Sequence, residues 1–178
     1  MVQEYEPALE REYSFAIVTV SFNNAETIRQ TIDSVLSQSW KKLEYWVIDG
    51  GSQDGTVDIL RAYGSRINWI SEPDKGLYYA MNKGWEKSSA EYVGFLNADD
   101  FFAHKDVMKE FASALKKAPD SWAVYGDLAY VDAADPSKIV RYWKAGNYHR
   151  SAFRFGWMPP HPTFYLRRDA FMLFTGFR

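Results

Sequence analysis

The chain has no cysteine, which excludes a disulfide framework and thiol chemistry. It has no apolar run approaching the roughly 18 residues of a membrane span. It lacks repeats and low-complexity stretches. It also lacks an excess of one charge: 21 Lys and Arg stand against 23 Asp and Glu, with the signs mixed along the sequence. A general nucleic-acid binder would need a basic face, so that class is disfavoured. The opening MVQEYEPALEREY is too charged for a signal peptide. A cytoplasmic protein is expected. What is present is a core: 47% of the 178 residues are hydrophobic and 17% aromatic, enough for one globular domain.

Residues 1–13 read as a flexible charged leader, and residues 14–178 as the domain. FAIVTVSF (15–22) is a β-branched and aromatic run, hence a buried strand. Ile28, Ile32, Val35 and Leu36 follow at helical spacing, with Asn24 as the expected cap. LEYWVID (43–49) is a second strand. TVDILRAY is a helix closed by Gly64, with Ser52 or Asp54 as its cap. INWIS (67–71) is a third strand. GLYYAMNKGWEKS is a helix with a core stripe of Tyr78, Met81 and Trp85, and EYVGFLN (91–97) is a fourth strand. KDVMKEFASALKKA is amphipathic and ends at Pro119. WAVYGDLAYVD (122–132) and IVRYWKA (139–145) read as two further strands. Strands alternating with helices imply an α/β fold with a mainly parallel sheet flanked by helices. Beyond residue 145 the pattern weakens into aromatic and turn residues.

In such a sheet, ligands bind beyond the carboxyl ends of the strands. Three polar clusters fall there: SFNN, DGGSQDGT and NADD. Asp49 precedes the glycines and is not placed to cap a helix, so it can accept a hydrogen bond from a base or sugar. In NADD, Asp99 can hold a hard divalent cation against a diphosphate. Asp100 reads as a turn residue. Lys75 and Gly76, before a helix start, can face an anion. A phospho-acceptor domain would need an acidic pair where SFNN stands. A nucleotidyltransferase would show a Gly- and Arg-rich loop after the first strand.

The stretches IVTVSFNNAETIRQTIDSVLSQS, VIDGGSQDGTVDIL, SEPDKGLYYAMNKG and YVGFLNADD occur in order, with a weaker match at MPPHPTFYLRRDAF. Together they resemble the inverting family 2 glycosyltransferases of GT-A fold, of the kind that build O-antigen, colanic acid or capsular polysaccharide. The resemblance implies a nucleotide-diphosphate-sugar donor, with a UDP-sugar expected, and Mn²⁺ or Mg²⁺ as cofactor. It implies a saccharide or lipid-linked saccharide acceptor, which would bring the protein to the inner face of the membrane. It places Val20, Ser21, Phe22 and Asn23 beside the nucleotide base, with Phe22 stacking on it. It gives Asp49 the base, Lys75 and Gly76 the donor loop, and Asn97-Ala98-Asp99 the position of the D-x-D signature, with Asp99 as metal ligand.

This sequence departs from the family pattern in three places. Asn97 replaces the first aspartate of D-x-D. Tyr79 replaces an aspartate. The family's general base, an aspartate following a GGFDE-like turn, has no counterpart, because Phe177 and Arg178 fall where that turn would start. A C-terminally truncated domain is therefore expected, holding the donor half and the start of the acceptor half. It would bind donor nucleotide without turnover. Asp169 suits a helix start better than a base. His161, with Trp157 and Met158 nearby, is the acceptor-side candidate.

Overall fold

A computed structural model describes residues 11–173. Most of the expected leader and the GFR end lie outside that range. Tyr13, counted with the leader, belongs to the core: it is fully buried and its hydroxyl donates to the Leu115 carbonyl at 3.1 Å. Its aromatic body outweighs its charged neighbours.

Eight strands and five α-helices form among the described residues. The strands are β1 (Phe15–Ser21), β2 (Leu43–Asp49), β3 (Asn68–Ser71), β4 (Tyr92–Phe95), β5 (Ala123–Val124), β6 (Leu128–Val131), β7 (Ile139–Trp143) and β8 (Tyr165–Arg167). The helices are α1 (Ile28–Leu36), α2 (Thr56–Tyr63), α3 (Leu77–Lys87), α4 (Val107–Lys117) and α5 (Arg168–Met172). The main sheet runs β3-β2-β1-β4-β8-β5. β1 pairs in parallel with β2 and β4, and β2 with β3, while β8 is antiparallel to β4 and β5. Every residue of β1 is buried, as a central strand covered on both faces requires.

Two cores do the covering. Ile28, Ile32, Leu60, Met108 and Leu115 bring α1, α2 and α4 onto one face. Ala80, Met81 and Phe171 bring α3 and α5 onto the other. α3 lies so close that a Cβ on Gly84 would sit 2.2 Å from Val18 Cγ1. That contact sets the buried face of α3 at Ala80, Met81 and Gly84. Tyr78, expected in the core stripe, falls to the side of this face and is exposed.

The run 122–132 is not one strand. β5 joins the main sheet and β6 pairs with β7 in a separate hairpin. The break comes at Gly126 and Asp127, whose carboxylate accepts from the Tyr142 hydroxyl and the Ala145 N–H and turns the chain away. β8 has no counterpart in the sequence reading. Three residues carry no measurable period, and only pairing with β4 and β5 makes them a strand.

Candidate functional site

The register of β1 on β2 sets Ser21 beside Asp49, and that of β2 on β3 sets Asp49 beside Ser71. The loops beyond these ends are cross-linked. Asn23 adopts φ 55°, a left-handed conformation that asparagine tolerates. Its N–H donates to Ser52 Oγ at 2.7 Å, and its Oδ1 accepts from the Gln53 N–H at 2.9 Å. The Asn24 N–H donates to Thr56 Oγ1, and the Ala25 N–H to Asp54 Oδ2.

These contacts revise the expected caps. α1 begins after Thr27 with no side-chain cap, and Asn24 Oδ1 accepts instead from the Phe22 N–H at 2.9 Å. Ser52 is drawn into the loop network. Asp54 accepts from the Thr56 N–H at the start of α2, one residue ahead of the capping position at Gly55.

Asp49 is wholly buried. Its Oδ2 accepts from the Gly51 N–H, the Ser52 N–H and the Ser71 hydroxyl, and its Oδ1 from the Ser52 hydroxyl. Gly51 makes the turn with φ +84°. The carboxylate that the resemblance gave to the base therefore holds the loop. Asp49→Ala is expected to strand these donors and cost about 3 kcal/mol, the scale of buried hydrogen bonds to a charged group. Asp49→Asn should recover most of that loss, since one oxygen still accepts. Thermal denaturation checks both. An Asn variant that melts normally but no longer binds nucleotide would return Asp49 to the ligand.

A cleft of about 620 Å³ opens at this edge. Val20 and Ser21 enter it from the end of β1 and Phe22 from just beyond it, Asn97, Ala98 and Asp99 from beyond β4, and Gly76 with Leu77 from the start of α3. Asn23 lines a neighbouring hollow instead. Lys75 is exposed, with Nζ 5.8 Å from the centre of the Tyr79 ring. Phe22 is 63% exposed, a large aromatic left to the cleft.

Gly50 and Asp74 line it too, with Asn24 and Ala80, and neither Gly50 nor Asp74 was expected to face a ligand. Asp74 Oδ1 accepts from the Gly76 N–H at 2.8 Å. Its Oδ2 lies 3.1 Å from where a Gly50 Cβ would be, and Phe22 Cδ2 lies 3.4 Å from the same point. Any side chain at position 50 would crowd this carboxylate and ring. The available signal was the pairing of a bare glycine after Asp49 with an acid in the loop after β3.

Asp99 is exposed at the cleft and Asp100 is half-buried. Asn97 Nδ2 donates to Asp100 Oδ2 at 3.0 Å, and the Asp100 N–H to the Asn97 carbonyl. Burial, then the neighbouring charge of Asp99, pushes the Asp100 carboxyl above its usual range. No cage of three or more His, Cys, Asp or Glu occurs among the described residues. The donor set fits a cation that takes one carboxylate and completes its shell with diphosphate and water, as magnesium commonly does.

His161 lies near-parallel to Phe95 of β4, with ring centres 6.3 Å apart. Desolvation pushes its imidazole below the ordinary value, although the residue as a whole is exposed. Trp157 is packed against Tyr125, Tyr148 and Phe153. Met158 is exposed. Asp169 pairs with Arg167 at the start of α5.

The sheet order β3-β2-β1-β4-β8-β5, with β8 antiparallel and a polar cleft at the carboxyl edge, matches the GT-A fold. The solved structure of S. aureus TarS 1–349 in complex with UDP-GlcNAc superposes with a TM-score of 0.69, at 18% identity, over 91% of this chain and 47% of that one. The Pyrobaculum calidifontis mannosyltransferase PcManGT, in complex with GDP-Man and Mn²⁺, gives 0.67 at 18% identity, over 98% and 50%. The chain belongs to glycosyl transferase family 2, whose model matches residues 16–171. An uncharacterized glycosyltransferase of Mycobacterium tuberculosis is 38% identical over 109 residues, 60% of this chain and 42% of the relative. A PGL/p-HBAD biosynthesis glycosyltransferase of Mycobacterium bovis is 31% identical over 118 residues, 64% and 46%. The chain thus spans less than half the length of these curated relatives. No helix among the described residues is long and apolar enough to cross a membrane.

Proposed function

We propose that this chain carries the donor site of an inverting glycosyltransferase. It would transfer a sugar from a nucleotide diphosphate, a UDP-sugar by preference, to a saccharide or lipid-linked saccharide hydroxyl in surface polysaccharide synthesis. The setting is cytoplasmic. The observation that carries the reading is the joining, in one cleft, of an exposed aromatic (Phe22), a half-buried carboxylate beside it (Asp74) and an exposed carboxylate (Asp99). That pattern suits a planar base, its N–H edge and a metal-bound diphosphate. The ligands in the two solved neighbours, UDP-GlcNAc and GDP-Man with Mn²⁺, support it.

Phe22 stacks on the base. Val20 and Ser21 flank it, and Asn23 keeps the loop in shape. Asp74 Oδ2 accepts from the base imide, because Oδ1 is already engaged by Gly76. Gly76 and Lys75 belong to the donor loop. Asn97 and Ala98 adjoin the ribose, and Asp99 holds Mn²⁺ or Mg²⁺. The cation, when bound, neutralises charge developing on the diphosphate as it leaves. In the reaction the acceptor oxygen attacks the anomeric carbon, the bond to the diphosphate oxygen breaks, and the hydroxyl proton passes to a general base. No described residue is assigned as that base. His161, whose imidazole desolvation pushes below its ordinary value, stands on the acceptor side as a candidate to receive a proton.

Isothermal titration of UDP and GDP, with and without Mn²⁺, tests the reading. UDP should bind, and more tightly with Mn²⁺. Asp74→Asn should weaken UDP about tenfold, the value of one hydrogen bond to a charged acceptor. Absence of binding by both nucleotides, with Mn²⁺ present, would overturn the donor-site assignment. Binding without sugar transfer would leave the chain as a nucleotide-binding portion of the enzyme.

A further inference from the structure

The mixing of charge along the chain fails in one stretch. Residues 136–168 hold seven of the 21 Lys and Arg and none of the 23 Asp and Glu. The same stretch exposes large apolar side chains. Phe155 is 89% exposed, Met158 62% and Tyr148 58%. Scattered exposed apolar residues need no explanation, but a cluster inside a basic field does.

The cluster is held in place. The 3₁₀ turn Arg150–Phe155 follows the β6–β7 hairpin. Trp157 fastens it: Nε1 donates to the Ala145 carbonyl at 2.8 Å, its N–H to the Ala152 carbonyl, and its ring meets Tyr148 and Phe153. Tyr148 and Phe153 also touch each other, with centres 6.2 Å apart. The turn therefore presents Phe153 and Phe155 outward, with Arg150 and Arg154 exposed between and beside them. Neither arginine forms an ion pair among the described residues.

We propose that the turn Arg150–Phe155, with Tyr148 and Met158, is a docking surface for an anionic phospholipid bilayer. Exposed arginines meet the headgroup charge. Phe155, having no protein cover, enters the boundary between headgroups and acyl chains, where aromatic rings with polar neighbours are favoured. A protein partner would more often bring hydrogen-bonding edges and a mixed-charge rim. Here exposed arginines flank apolar tips on a run of chain that carries no acidic side chain, and a charged lipid surface is their complement. The inference deepens the acceptor side of the proposed reading, since Met158 stands there, but it uses no donor-site residue, so UDP binding and vesicle binding can fail separately.

Vesicle co-sedimentation of the 178-residue chain tests it. The chain should pellet with equimolar phosphatidylglycerol and phosphatidylcholine, should not pellet with phosphatidylcholine alone, and should be released by added salt. The pair Arg150→Glu and Arg154→Glu should lower partitioning at least about tenfold, and Phe155→Ser severalfold. UDP titration and the melting temperature should stay unchanged in both variants, which separates lost docking from lost folding. Three results would overturn the proposal: equal binding to neutral vesicles, no binding to either, or variants that sediment like the parent. Dimerisation in analytical ultracentrifugation that Phe155→Ser abolishes would also overturn it, by giving the patch to a second copy.

Discussion

Asp99→Ala should lose the Mn²⁺-dependent part of UDP binding altogether, and with it any sugar transfer by the enzyme. Asp99 is the exposed carboxylate of the cleft, and no cage of other acidic or histidine side chains surrounds it among the described residues. A cation bound there has little other protein to hold it. Changing a residue that merely supports a ligand costs about 10- to 100-fold in metal affinity. Losing the ligand itself should cost at least the upper figure. Asp100 is less exposed, and one of its oxygens is already engaged by the Asn97 amide. Titrating Mn²⁺ into the UDP-saturated variant gives the measurement. If Mn²⁺ still tightens UDP as in the parent, Asp99 is not the ligand. Asn97→Asp offers the opposite change: a second carboxylate should tighten the metal.

Gly94→Ala should be the most damaging single methyl in the main sheet. A Cβ at position 94 would lie 2.4 Å from Tyr165 Cε1 and 2.6 Å from Cδ1 and Cζ. The ring cannot slide away. Tyr165 is fully buried, with Phe15 edge-on at 5.9 Å and Phe111 at 5.3 Å. The cost falls at or above the top of the usual overpacking range, about 3 kcal/mol. For a domain of this size that lowers the melting temperature by roughly 6–12 °C. A melting temperature within about a degree of the parent would show that Tyr165 has room to move. The same substitution separates β4 from β8, so the antiparallel side of the sheet should exchange its amide hydrogens first.

How much of this was legible in the sequence depends on where each signal resides. β1, β2 and the helices α1 and α4 were legible because burial on a sheet or helix face imposes a repeating apolar pattern. β8 was not, because Tyr165, Leu166 and Arg167 become a strand only through partners distant in sequence. Phe22, Asn97 and Asp99 could be placed at the cleft because strand ends in this topology converge. The role of Asp49 could not be read. A carboxylate at a strand end looks the same whether it faces a ligand or its own loop, and only the positions of Gly51, Ser52 and Ser71 decide. Asp74 was missed for the converse reason, since the residues it shares the cleft with, Gly50 and Phe22, lie in two other loops.

The cross-links between Asn23 and Ser52, Asn24 and Thr56, and Ala25 and Asp54 have a consequence for affinity. They make the loops after β1 and β2 one body before any ligand arrives. Conformational entropy is lost there on folding and not again on binding. The opposite wall is different: Gly76 and Leu77 line it exposed, with the exposed Lys75 beside them, and the bond from the Gly76 N–H to Asp74 stays within its own loop. Nucleotide capture should therefore cost little freedom in the loops after β1 and β2 and draw more of its entropic cost from the loop Asp74–Gly76.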